Sequence, residues 1–248
     1  MADPQIEVIP YNGPGRRPRI EKPRLILIHA TRGPTSPQLQ AQATINWFAR
    51  VGRIEASRRR MRGWGPMSDF LVGFAGDIYQ FGDYRTTRAN WSAGYGSGGG
   101  QWGADEQSIS IEVAQSDKLE AYSQKSIDSL VWLSRRLVAE FGILPQKVQF
   151  WNQSRSQGVP TGFLGHEDTA HGRKTGKSDP GERFPWGVFL RRVGQRPGRD
   201  SSGLSVRMAF LEDAVIGLTT TFTSHQDTFA AHRHTHPHDG LGGPTEIT

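Results

Sequence analysis

Apolar and polar positions along the chain first become regular at Leu25-Ile26-Leu27-Ile28, a run that ends on His29 and Ala30. An unbroken apolar run of this length predicts a central strand covered on both faces. The segment before it, residues 1–22, is interrupted by Pro4, Pro10, Pro14 and Pro18 and predicts an extended arm. After it, Ser36-Pro37 supplies a helix cap and first helical position, and Leu39, Ile45, Trp47, Phe48 and Val51 carry the apolar stripe to about residue 51. Residues 70–74 and 78–81 predict two strands around a turn at Ala75-Gly76-Asp77. Residues 108–113 alternate: Ile109, Ile111 and Val113 take one face, and Ser108, Ser110 and Glu112 the other. A second helix is capped by Ser123 and stopped by Gly142, with Ile127, Leu130, Val131, Leu137 and Val138 as its buried stripe. Residues 148–151 predict a short strand, 152–164 a loop, and Phe184-Pro185-Trp186 the start of a last helix to about residue 193. Strands and helices in this order predict an α/β domain.

Composition narrows the chemistry. With no cysteine among 248 residues there is neither a disulfide framework nor a thiolate metal site. Any metal would rest on His, Asp and Glu. The length suits one medium domain plus extensions or two small domains; hydrophobic residues, at 35%, suffice for a packed core, and the 30 glycines and 15 prolines imply long loops. The formal charge of +6 is uneven. From Ser201 onward two basic residues (Arg207, Arg233) face five acidic ones, a balance of −3 that leaves +9 on residues 1–200. A basic body suits nucleic acid or the anionic polymers of a bacterial envelope. With no RNA-binding or helix-turn-helix signature, the envelope is the better reading and no nucleic-acid partner is expected. No apolar stretch is long enough for a membrane span, and the N-terminus lacks a signal core, so no classical export is expected.

The densest candidate chemistry lies in residues 165–181, GHEDTAHGRKTGKSDPG. His166 and Asp179 each offer a lone pair to a metal, and Lys177 stands two residues before the carboxylate. One loop cannot enclose a metal alone, and His29, at the end of the buried run, is the natural third ligand. His171 lies inside the same loop, as a proton shuttle or a surface residue. The run Arg58-Arg59-Arg60 with Arg62 reads as a solvated loop or a contact for wall anions.

Taken together, Leu25–His29, residues 108–112 and residues 165–181 resemble the zinc-dependent N-acetylmuramoyl-L-alanine amidases of the type 2 amidase and peptidoglycan-recognition-protein family. The resemblance covers roughly residues 23–193. It implies a mixed central β-sheet flanked by helices. It also implies zinc held by His29, His166 and Asp179, with a fourth position for water. It gives Lys177 the role of stabilising the oxyanion of the attacked amide, with Lys174 as alternative because the histidine-to-lysine spacing is longer here than usual. It gives Glu112 the role of general base, as in the subgroup without a tyrosine at the start of the hairpin, where this chain has Ser68 and Asp69. Asn90-Trp91-Ser92-Ala93-Gly94 resembles the family's Trp-His-Ala-Gly segment with Ser92 in place of histidine. The implied substrate is peptidoglycan, cut at the amide between N-acetylmuramic acid and L-alanine. Trp91, Tyr95 and Trp102 are placed to stack on sugar or peptide, and Arg85 or Arg88 to meet stem-peptide carboxylates.

Residues 195–203, with Pro197, Gly198 and Ser201-Ser202, read as a linker between a catalytic domain (23–194) and a C-terminal extension (204–248). Residues 206–222 predict a β-hairpin, or a helix and a strand. His232, His234, His236 and His238 recur at every second position, one face of an extended chain. Three copies about an axis could hold a metal there, a short likeness to histidine-rich phage tail-spike tips; a disordered polar tail is the alternative. The extension is thus where a homo-oligomer or a phage tail assembly would form. The expected role is bacterial cell-wall lysis as a phage endolysin, acting from the host cytoplasm on the wall, or as a virion-associated lysin. The alternatives are a non-catalytic wall-binding or tail component and a cytoplasmic muropeptide-recycling amidase.

Overall fold

The computed structural model describes residues 4–9, 16–33, 36–57, 68–89, 104–115, 120–148 and 160–195, with side chains of the first helix described to Phe48. The chain divides into two units, 1–199 and 200–248, and every described residue lies in the first. The readings made for Arg58–Arg60, Arg62, Trp91, Tyr95, Trp102, the linker and the C-terminal extension fall outside the described residues.

In chain order the elements are β1 (Ile6–Ile9), β2 (Arg16–Pro18), β3 (Leu25–Ala30), α1 (Pro37–Ser57), β4 (Phe70–Val72), β5 (Ile78–Phe81), β6 (Thr87–Ala89), α2 (Ala104–Gln107), β7 (Ser108–Val113), α3 (Gln124–Phe141), β8 (Gly162–Gly165), a 3-10 turn (His166–Asp168), α4 (Ala170–Thr175) and α5 (Trp186–Gly194). Six strands form one mixed sheet in the order β1-β5-β4-β7-β3-β8; β2 and β6 form a separate antiparallel pair. The run read as a central strand is central: β3 pairs in parallel with β7 on one side and β8 on the other, and all six of its residues are buried.

Paired residues on neighbouring strands share a face of the sheet. Leu25 and Leu27 therefore share a face with Ser108, Ser110 and Leu164, and that face packs with Ala104 and Val148. Nearby, Leu71 and Phe81 pack against Ala41 and Phe48 of α1. The opposite face presents Ile26, Ile28, Ile109, Ile111 and Phe163, and there Phe163 meets Phe189 of α5 edge to face at 5.5 Å between ring centres. Helix α3 forms as its sequence predicts. Ser123 Oγ accepts from the Ser126 amide, and Gly142, in the left-handed region, closes the end by donating to the Val138 carbonyl.

Three expectations change. α1 runs to Ser57 rather than to about residue 51. β4 stops at Val72, where the chain enters a turn closed by the Gly76 amide donating to the Gly73 carbonyl. Residues 162–164, read as the end of a loop, instead belong to β8. The strand expected at 148–151 lies outside the described residues except for residue 148, which follows an isolated bridge between Lys147 and Phe163. The described parts of the proline-broken arm contribute β1 to the sheet edge and β2 to the small pair. It is anchored by Asp69, which is buried and accepts from Arg16 Nη2 (2.7 Å) and the amides of Ala89 (3.1 Å) and Ser110 (3.0 Å), with Arg19 Nη2 at 3.6 Å.

Candidate metal centre

The register of the parallel strands brings the site together. His29 on β3 is the Cα partner of Glu112 on β7, so both side chains leave the same face side by side. On the other side Leu27 pairs with Leu164, and two residues further along each chain stand His29 and His166. Alternation along the strand thus turns His166, the first residue after β8, toward His29. Their ring centres lie 4.7 Å apart at 80°. β8 is therefore the strand that delivers the second histidine, although GFLG, glycine at both ends, carries no periodic signal.

The third member arrives by a tight loop. Gly165 lets it approach: a Cβ there would lie 2.6 Å from Pro180 Cδ and 3.1 Å from the Asp179 carbonyl oxygen. The Glu167 amide donates to that same carbonyl at 3.2 Å. Between them α4 is tucked under the 3-10 turn at Gly172, where a Cβ would fall 1.8 Å from the His166 carbonyl oxygen. Asp168 fastens the turn by accepting from the Gly165 amide at 2.7 Å and pairing with Lys147, whose ammonium also sits 3.6 Å from the centre of the Trp186 ring.

His29, His166 and Asp179, all buried, consequently offer ligand atoms within 4.8 Å of one another. His29 Nδ1 lies 2.9 Å and His166 Nδ1 3.5 Å from Asp179 Oδ2. A tetrahedral ion with bonds of about 2.0–2.1 Å spaces its donors roughly 3.3 Å apart, and these two separations bracket that spacing. The far nitrogen of each ring, Nε2, is buried with no hydrogen-bond partner. Two nitrogens and one carboxylate oxygen form a donor set suited to zinc.

The electrostatics agree with that geometry. Burial alone would raise the Asp179 carboxyl, but the contacts with His166 and His29 outweigh it and hold Asp179 well below the usual carboxylate range. Burial pulls His29 down, yet its hydrogen bond to Asp179 and the charges of Glu112 and Asp179 leave it raised. His166, with the longer contact, is lowered by burial to about 4. Glu112 is half-buried, and its Oε2 is buried with no hydrogen-bond partner. Burial pushes its carboxyl up to about 7, while His29 and Lys177 draw it down and Asp179 pushes it further up.

Lys177 is exposed at the rim, and its charge is felt at both Glu112 and His166. Lys174 is exposed in the last turn of α4. His171 is half-buried and stacks on His166, ring centres 6.0 Å apart at 19°.

Arg85 is not brought to this centre. Its guanidinium lies on the Tyr84 ring and pairs with Glu140, near the C-terminal end of α3. The 18 residues of α3 span about 27 Å, and it is the other end of that helix that neighbours the site, where Tyr122 donates to the Pro180 carbonyl. Arg88 likewise pairs with Glu106. Ser68 and Asp69 are buried, and Asp69 is taken up by the arm. Two supporting residues had no sequence signal: Tyr122, and Arg32, which holds Ser178 by two hydrogen bonds. Both act across long sequence separations.

Comparison with known proteins now becomes informative. Among solved structures, a selenomethionine AmpD derivative aligns over 78% of this chain and 95% of its own, at 21% identity and a TM-score of 0.50, a likeness of fold. The N-acetylmuramoyl-L-alanine amidase LysC from Clostridium intestinale URNW aligns over 78% and 99% at 17% identity and a TM-score of 0.48. A mutant endolysin from Bacillus subtilis does so over 77% and 99% at 22% identity and 0.44. No curated protein matches the chain. Among the described residues no helix is long and apolar enough to cross a membrane. The sequence profile of the N-acetylmuramoyl-L-alanine amidases matches residues 19–182, well over half of the chain and all of the segments that carry the buried cluster, so the chain belongs to the N-acetylmuramoyl-L-alanine amidase family and is an enzyme of that class.

Proposed function

We propose that this amidase is zinc-dependent, with the ion held by His29, His166 and Asp179, and that it cuts peptidoglycan between N-acetylmuramic acid and L-alanine for bacterial cell-wall lysis, as a phage endolysin or tail-associated lysin. The observation that carries the zinc reading is the convergence of two imidazole Nδ1 atoms on one Asp179 oxygen, at 2.9 and 3.5 Å, inside a buried site. When bound, zinc would supply Lewis-acid polarisation of the scissile carbonyl and acidify the attacking water.

The chain's own residues do the rest. Glu112 accepts the proton of the attacking water on its unpartnered Oε2 and passes it to the leaving nitrogen of L-alanine. Water oxygen bonds to the lactyl carbonyl carbon, the C–N bond breaks, and the products are a lactyl carboxylate and a free L-alanine amine. Burial raises the Glu112 carboxyl in the metal-free chain, which makes its carboxylate a better proton acceptor than an exposed one. Lys177 brings its ammonium to the oxygen that becomes negative as the carbonyl is attacked. His171, stacked on His166, keeps that ring in place. Trp91, Tyr95 and Trp102 supply aromatic surface for sugar or peptide. The +9 balance on residues 1–200 favours residence on an anionic wall, reached from the host cytoplasm or from the virion.

The test is the purified full chain on intact cell walls and on small soluble muropeptides, with metal content measured on the same sample. About one zinc per chain and release of L-alanine amino groups from walls support the lysin reading. Cleavage confined to soluble muropeptides supports the recycling alternative, and wall binding without cleavage supports a non-catalytic role.

A further inference from the structure

We propose that Arg32 is a positioning residue for the active site: its guanidinium grips Ser178 at two points and so sets the Lys177–Asp179 segment against the strand end that carries His29. The inference rests on the functional reading above, because it assigns Arg32 a purpose only if Asp179 and Lys177 have theirs.

Three observations carry it. Arg32 Nη1 donates to Ser178 Oγ at 2.9 Å, and Nη2 donates to the Ser178 carbonyl at 2.8 Å. Ser178 is the residue between Lys177 and Asp179, so one planar fork fixes the height and the rotation of both neighbours. Second, Arg32 adopts φ +38°, a backbone region that non-glycine residues rarely occupy. It does so three residues after His29, just past the end of β3, where the chain turns out of the sheet and the side chain reaches back over the loop. Third, the loop leaves room for the fork. Gly181 has φ +86°, and a Cβ there would stand 2.7 Å from Arg32 Nη2.

The far side of the segment is held as well. Tyr122 donates to the Pro180 carbonyl at 2.8 Å, so Asp179 is pinned from both flanks. Arg32 is also, after Lys147, a positive charge felt by Glu167, the residue after His166. A lysine could supply that charge but not the two parallel hydrogen bonds. The role therefore belongs to the fork and its reach.

The test compares wild type, Arg32→Met, Arg32→Lys and Ser178→Ala as full chains. Each is measured for zinc affinity by competition with a chromophoric chelator, for kcat and KM at saturating zinc, and for melting temperature after metal removal. Arg32→Met is expected to weaken zinc binding and lower kcat by about 10–100-fold, the range for groups that orient metal ligands, with KM little changed. Its metal-free melting temperature is expected to stay within a few degrees of wild type. Arg32→Lys should recover little of the loss, and Ser178→Ala, which keeps the carbonyl contact, should show only a several-fold effect. Wild-type zinc affinity and kcat in Arg32→Met would overturn the proposal, as would full recovery by lysine. A large fall in metal-free melting temperature with zinc affinity unchanged would overturn it too, by making Arg32 a structural residue only. If wild type itself binds no zinc and cleaves nothing, the functional reading fails and takes this inference with it. If wild type does both and the variants match it, Arg32 alone fails.

Discussion

Two buried aspartates, Asp69 just before β4 and Asp179 in the loop between α4 and α5, are treated in opposite ways. Asp69 is surrounded by what a carboxylate needs: Arg16 at 2.7 Å, Arg19 at 3.6 Å and two backbone amides. Among the described residues Asp179 meets two imidazoles, one at 2.9 Å and one at 3.5 Å, each with an unpartnered far nitrogen, beside a glutamate whose buried oxygen has no partner either. A fold that buries a charge for its own stability supplies permanent cations and amide donors. A fold that buries a charge and leaves its surroundings unsaturated is holding room for something else. Here the first arrangement ties the N-terminal arm to the sheet, and the second matches the donor set of a metal.

The comparison breaks first at the three residues proposed to hold zinc. His29→Ala and Asp179→Ala are expected to lose bound zinc and to lower activity by about a thousandfold or more, with metal analysis and wall-cleavage rate as the readouts. Glu112→Gln and Lys177→Ala should keep zinc while lowering kcat by about a hundredfold or more. Lys174→Ala should stay within about twofold of wild type. A dead Lys174→Ala beside an active Lys177→Ala would reverse the assignment of the lysine.

At the other aspartate the expected loss is of stability instead. Asp69→Asn leaves Arg16 and Arg19 buried without a counter-charge, a change expected to destabilise by about 3–5 kcal/mol, read by urea unfolding. Zinc per folded chain should be unchanged. Lost zinc without lost stability would show that the two aspartates are not separable in this way.

The smallest effect is a pH signature of Glu112 in the metal-stripped protein. Its native carboxyl, at about 7, lies above the unfolded value of 4.5, so the native state binds this proton more tightly. The resulting destabilisation is absent below about pH 4.5 and grows until about pH 7. Glu112→Gln should therefore melt like wild type at pH 4 and be more stable by about 1–3 kcal/mol above pH 7, after allowing for partial solvent exposure. A constant difference across that window would mean that Glu112 is not strained by burial.

How much of this was readable in the chain depends on the range of each cause. The Leu25–Ile28 run, the alternation at Ser108–Val113 and the Ser123 and Gly142 caps act within a few residues, and each produced the element it predicted. The three metal-ligand candidates were readable because their chemistry is scarce: no cysteine is present, and only a few histidines lie near apolar runs or glycine-rich turns. What escaped is set by distant partners. Asp69 finds Arg16 across 53 positions, Arg85 finds Glu140 across 55, and Arg32 finds Ser178 across 146. β8 escaped for another reason: Gly162-Phe163-Leu164-Gly165 is a strand only because β3 stands beside it, and it needs its final glycine to admit Pro180.

The most direct test of the account is a zinc titration of the metal-stripped full chain, followed on the same samples by wall cleavage. The account predicts one tight site per chain, cleavage that is lost with the metal and returns in step with its occupancy, and no such site in His166→Ala. A stripped chain that cleaves walls at the full rate, or that takes up zinc equally well without His166, would contradict it.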